Sequence, residues 1–160
     1  MRELGPDMCV PCGDGILNIR VGAIIVRDGK ALMVKSEFGD YRYSVGGRIQ
    51  FGEFAEQAIV REVLEETGRR LSVDRLGFVE EVYFINDNPK AFGKPVYELA
   101  FYYYMNAPKD FEPVTDHVGD SSERFVWVGP NDPQTLHPDF IREAITAPQK
   151  TVQHIVRDDR

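Results

Sequence analysis

The sequence predicts one α/β (α+β) domain built on a mixed β-sheet, and three observations predict it. Short β-rich stretches alternate with turn signals, two segments have helical periodicity, and 160 residues suit a single domain. Hydrophobic residues make up 42% and charged residues 28%, which are values for a folded globular chain. The longest strongly apolar run, Val21 to Val26, is far short of the roughly 20 residues that span a bilayer. The first residues carry no apolar run of the signal-peptide kind, so a cytoplasmic location is expected.

The elements follow in order. Asn18 to Val26 reads as a strand, Arg27-Asp28-Gly29-Lys30 as a hairpin turn, and Lys30 to Ser36 as the returning strand. Tyr41 to Val45 is a third, short strand, which Gly46-Gly47 should break. A helix is predicted from about Phe54 to Thr67, stopped by Gly68 in the left-handed cap position. Leu71 to Phe84 and Val96 to Met105 are β-rich, with a Pro/Gly/Asn loop from Asn86 to Pro95 between them. An acidic loop from Asn106 to Ser122 leads to a strand at Glu123 to Val128. Pro138 to Ala147 reads as an amphipathic helix, and Thr151 to Val156 as a short edge strand. Residues 1–17 are expected to be a loosely ordered segment ahead of the single domain 1–160.

Charge narrows the partners. Nineteen basic against 26 acidic residues give a net charge of −7, a field that repels long nucleic acids and anionic membranes. Small anionic substrates stay admissible, because a bound cation reverses the local sign. Cys9 and Cys12 form a lone Cys-x-x-Cys pair, and His117, His137 and His154 stand at no finger-like spacing from it. Two reduced thiols are the expectation.

Within the first helix, Glu62, Glu65 and Glu66 stand at i, i+3 and i+4 and share a face with Ala55 and Ala58. Val60, Val63 and Leu64 are expected to bury on the other side. Like charges at this spacing repel, and the C-terminal end of a helix already presents negative charge. A divalent cation with oxygen ligands resolves that conflict. Gly46-Gly47 frees backbone for close approach, and Glu53 adds a carboxylate at the loop-to-helix junction.

Gly47, five residues, Glu53, seven residues and Arg61-Glu62-Val63-Leu64-Glu65-Glu66-Thr67-Gly68 together resemble the Nudix box of the Nudix hydrolases. Two positions depart from the pattern: Arg69 stands where an aliphatic residue is usual, with Leu71 two places on, and Val45 replaces a proline. The resemblance implies a Nudix-like α/β/α sandwich and Mg²⁺-dependent hydrolysis of a diphosphate bond in a nucleoside diphosphate derivative. It implies Mg²⁺, with Mn²⁺ as the alternative, bound by Glu62, Glu65, Glu66 and a backbone carbonyl at Gly46 or Gly47. It implies that Arg61 orients box glutamates, Glu53 among them, with Gly47 and Gly68 in support. The base could be Glu62 or Glu65, or Glu123 or Asp120 ahead of the later strand.

Arg20, Lys35, Arg42 and Arg48 flank the box and are candidates for phosphate contact, with Arg20, Arg42 and Arg48 preferred. Tyr41, Tyr43, Tyr83 and Phe84 are candidates for stacking on a base. Glu98 should share a strand face with Ala100 and Tyr102. Expected partners are a small-molecule nucleotide, no long nucleic acid, no membrane and, as one option, a homodimer. The alternative to an enzyme is a nucleotide-binding Nudix-like sensor, but such domains commonly lose box glutamates and this chain keeps them. An isomerase of the same fold would need a catalytic Cys that the positions of Cys9 and Cys12 do not supply.

Overall fold

The computed structural model describes residues 3–160, and α1 and α2 pack against two sheets in a mixed α+β fold. In chain order the strands are β1 (Cys9–Cys12), β2 (Gly15–Ile24), β3 (Val26–Arg27), β4 (Lys30–Lys35), β5 (Tyr41–Ser44) and β6 (Gly46–Arg48). Helix α1 (Ala55–Thr67) precedes β7 (Ser72–Ile85), β8 (Pro95–Asn106), β9 (Arg124–Val128) and β10 (Thr135–His137). Helix α2 (Ile141–Thr146) and β11 (Gln153–Asp159) complete the chain.

The larger sheet runs β1-β2-β8-β7-β11, with β6 paired to β2. It is mixed, since β2 lies parallel to β8, β8 antiparallel to β7, and β11 parallel to β7. The second sheet runs β10-β5-β4-β3, with β9 against β4. Period-two alternation sends each central strand to two cores. Val21, Ala23, Leu32, Val34 and Tyr103 join Ala58, Ile59 and Val63 of α1 in one core. Ile24, Ala31, Met33, Ala100 and Tyr102 join Phe140, Ile141 and Ala144 of α2 in the other.

Several expectations change. Cys9–Cys12 is a strand paired with Gly15 to Asn18, so this part of the segment expected to be loose instead edges the sheet. β5 does end ahead of Gly46 and Gly47, but these two glycines then open β6 in the other sheet. They pair with Gly22 and Val21, because a Cβ on Gly46 would stand 2.1 Å from the Val21 carbonyl oxygen and only glycine permits that approach. The second helix is shorter than Pro138 to Ala147, since residues 138–140 form a turn that seats the Phe140 ring against Phe78 at 4.1 Å. The C-terminal strand is longer than expected and runs the length of β7 from Phe78 to Phe84.

Both departures from the box leave the fold intact. Val45 is fully buried, and its carbonyl accepts the Ala23 N–H at 2.7 Å. Arg69 is exposed and donates to the Glu112 carbonyl, while Leu71 takes the apolar role with 5% exposure. Truncating Phe140 tests the second core. Phe140→Ala should lower unfolding free energy by about 3 kcal/mol in urea titration, since the ring also meets Tyr102 edge-on at 5.0 Å.

Candidate active site

Helix α1 starts after Phe54, whose backbone N–H donates to the Gln57 side chain at 2.9 Å. It ends at Gly68, where φ is 72° and the N–H returns to the Leu64 carbonyl. Its buried stripe is Ala58, Ile59, Val63 and Thr67; Leu64, expected inside, is 41% exposed. The stripe lies one position toward the glutamates from where the sequence placed it. Glu62 and Glu66 therefore flank the core rather than point away from it.

Arg61 organises the charges. Its Nε and one Nη donate to the two oxygens of Glu53 at 3.0 and 2.6 Å, and its other Nη reaches Glu62 at 2.8 Å and Glu65 at 3.2 Å. It also donates to the Arg48 carbonyl, which ties α1 to β6. The hydrogen bonds that Arg61 donates to Glu53 raise its own pKa further. For Glu53, burial opposes the charged form, but Arg61 and the Gln50 N–H outweigh it and its pKa falls below the usual range. Gly47 faces Glu62 so closely that a Cβ would lie 2.4 Å from the carboxyl carbon.

Glu66 is compensated least. Its partner is the Gly46 N–H at 3.3 Å, and burial followed by the field of Glu62 pushes its pKa up to about 8. Burial also raises Glu62, against the pull of Arg61. Glu65 has a side chain 57% exposed. Glu123 accepts a hydrogen bond from the Tyr43 hydroxyl, and its charge acts on Glu66. Among the described residues no three His, Cys, Asp or Glu side chains already converge as ligands. The donor set nevertheless fits a hard cation: two withdrawn carboxylates with too little positive charge, beside a strand stripped of side chains at Gly46 and Gly47.

Arg20 joins these carboxylates to a cavity between the sheets' polar faces and β10. Burial works against its charge, but Glu98, Tyr102, Glu66 and Glu62 together hold its pKa above the ordinary value. Among the described residues its guanidinium has no ion pair, and its Nε is buried without a hydrogen-bond partner. The cavity, about 310 Å³, is walled by Tyr41, Tyr43 and Phe84 with Glu98 and Tyr102 at its sheet face. The face of Glu98, Ala100 and Tyr102 is thus the cavity face. Glu98 accepts from Asn18 at 2.7 Å, and Asn18 in turn accepts from Arg48 at 3.1 Å.

The other candidates separate. Arg48 reaches the rim, in a depression that shares Arg20, Tyr41 and Glu98 with the cavity. Arg42 alternates away from Tyr41 and Tyr43, stands 3.7 Å from Asp40, and lines neither space. Lys35 is likewise not part of the wall. Tyr83 lies on the far face, 5.0 Å from Tyr97 and beneath Arg160. The sequence reading missed Glu80, His137, Arg157 and Asp159, all of which line the cavity. Burial, then Arg157, lowers the His137 pKa, so its ring is neutral near pH 7.

A NUDIX domain model matches residues 17–147. The chain belongs to the Nudix family. It is accordingly a Nudix-type pyrophosphohydrolase in class, as the box resemblance implies. Comparison with curated proteins returned no match. Among solved structures, a MutT NUDIX hydrolase from Burkholderia pseudomallei is 25% identical, with 82% of this chain and 98% of that one covered and a TM-score of 0.55. An ADP-ribose pyrophosphatase from Streptococcus suis, 17% identical, shares the fold at a TM-score of 0.54 over 86% of this chain and 98% of its own. A UDP-X diphosphatase, 19% identical, does so at 0.54 over 86% and 66%. None of the described helices is long and apolar enough to cross a membrane.

The Glu66 carboxyl makes the metal-free Nudix protein sensitive to pH in a defined direction. Its folded pKa lies above the unfolded value, so the folded state holds the proton more tightly. Its burial is tolerated below about pH 4.5 and costs stability as pH rises toward about 8. In EDTA, the stability difference between Glu66→Gln and wild type should grow in the mutant's favour across that window, by on the order of 1 kcal/mol per pH unit at most. Urea titrations of both proteins at pH 5, 6.5 and 8 measure it.

Proposed function

We propose that this Nudix protein hydrolyses a diphosphate bond in a small nucleoside diphosphate derivative with the help of Mg²⁺, or Mn²⁺ in its place. The observation that carries this reading is the under-compensated pair of withdrawn carboxylates, Glu62 and Glu66, beside Arg20, whose buried Nε has no hydrogen-bond partner among the described residues. Glu62, Glu65, Glu66 and the Gly46 carbonyl would hold the cation. When bound, such an ion neutralises diphosphate charge and lowers the pKa of a water.

The chain's own groups divide the remaining work. Arg61 holds Glu62 and Glu53 in place, so the box carboxylates keep their positions whether or not a substrate is present. Arg20 lines the cavity and supplies a fixed positive charge toward a phosphate there. Of the four candidates for the base, Glu62 is tied to Arg61, and Glu65 and Asp120 face solvent. Glu123 is better placed, because Tyr43 orients it beside Glu66 and leaves lone pairs free to take a proton. Tyr41 and Phe84 give the cavity flat apolar walls for a nucleotide ring.

Glu66→Gln should lower kcat by at least about a hundredfold while the melting temperature in EDTA stays equal or rises. Wild-type activity should stop in excess EDTA and return with Mg²⁺ or Mn²⁺. Millimolar Mg²⁺ should raise the wild-type melting temperature more than that of Glu66→Gln, because the ion binds only the folded state. Full turnover in EDTA by protein verified as metal-free would contradict the reading. Nucleotide binding without turnover would favour the sensor alternative.

Tyr43→Phe tests the orientation of the base. It should lower kcat by roughly tenfold, with KM little changed. An unchanged kcat would return the role to a box glutamate.

A further inference from the structure

Strand β11 lies beyond the matched domain, which ends at residue 147, yet it builds part of the cavity. Its register with β7 sets Ile155 beside Glu80, Arg157 beside Val82 and Asp159 beside Phe84. The next strands continue the row, with Glu80 and Arg20 each opposite Ala100 of β8. Arg20 and β11 are thus three strand spacings apart, about 14 Å. That span accommodates a diphosphate at one end and a ring at the other.

The two ends differ in chemistry. Arg20, without a partner among the described residues, stands at the end nearest the box carboxylates. At the β11 end Arg157 is already engaged. Its Nε lies 2.8 Å from Glu80 Oε1, and an Nη lies 3.5 Å from Asp159. The Glu80 contact is close but misaligned, so that oxygen, in a side chain only 2% exposed, has no hydrogen-bond partner. Over the whole wall, Glu80, Glu98, Asp87 and Asp159 outnumber Arg20 and Arg157 by four to two. A further phosphate at this end would meet net negative charge, whereas a neutral ring with hydroxyl or amino groups would find carboxylate acceptors in Asp159 and Glu80.

We propose that β11 is the specificity wall of this enzyme: Asp159 and Glu80, positioned by Arg157, accept hydrogen bonds from a neutral, hydroxyl- or amino-bearing ring attached to the substrate's diphosphate. The ring is a sugar or a nucleobase, and both present the same donors. This inference rests on the diphosphohydrolase reading above.

The test uses the full chain with Mg²⁺ or Mn²⁺ and two substrate series. In one the base varies at constant sugar (ADP-, GDP- and UDP-glucose). In the other the sugar varies at constant base (UDP-glucose, UDP-galactose and UDP-N-acetylglucosamine). Wild type should discriminate within one series by at least tenfold in kcat/KM, and that series identifies the ring. Asp159→Asn and Arg157→Ala should reduce the discrimination to within threefold by raising KM for the best substrate about tenfold, with kcat changed less than threefold. Asp159 is exposed, so Asp159→Asn stands if Arg157→Ala unfolds.

Unchanged discrimination in Asp159→Asn, or losses confined to kcat, would overturn the proposal. If nothing is cleaved with either metal, the hydrolase reading falls first, and calorimetric titration of UDP-glucose and ADP-glucose then decides the wall. Tighter binding to wild type than to Asp159→Asn supports it; equal affinity or no binding overturns it.

Discussion

The arrangement depends on one guanidinium. Arg61 holds two oxygens of Glu53, whose side chain is 4% exposed, and one of Glu62, at 13%. Without it, two carboxylates would stand withdrawn from water with no counter-charge, a cost that breaking a buried pair puts at several kcal/mol. The same side chain bonds the Arg48 carbonyl, so the charge network also fastens α1 to β6. A lysine could neutralise one of these oxygens but could not reproduce the forked contact with Glu53. Arg61 thus serves the fold and the site through one set of bonds.

What Arg61 leaves unsatisfied is equally informative. Glu66 receives one long N–H contact and no cation of its own. Arg20, a short way off, has its Nε buried without a hydrogen-bond partner among the described residues. A withdrawn carboxyl and a buried cation, only partly compensated by each other, are unfavourable in an empty protein. They become favourable when a cation and an anionic ligand enter together. The cost in stability is offset elsewhere by two apolar cores, each closed by its own helix.

The alternation of the central strands links these cores to the cavity. On β8, Tyr103 and Met105 turn to α1, while Ala100 and Tyr102 turn to α2 and lead to Glu98. Gly22 makes room for this face, since a Cβ there would lie 2.3 Å from the Tyr102 ring. Packing and ligand space are therefore set by the same period-two pattern, and a register slip of one residue would exchange them.

By itself the sequence determined the local features: the helix and its Gly68 stop, the box with its glutamates and Arg61, and the hairpin at Asp28-Gly29. Each is written in spacings of a few residues, which propensity, capping and helical period control directly. It also placed Glu98 with Ala100 and Tyr102, because alternation along one strand needs no partner. Tertiary structure alone decided which of those faces was buried. It shifted the helix core from Leu64 to Ile59 and Thr67, turned Arg42 away from the cavity, and drew Cys9–Cys12 into the sheet. It brought Glu80, Arg157 and Asp159 together from segments more than seventy residues apart. Strand pairing at that separation depends on register across several strands, and no short-range pattern in the chain records it.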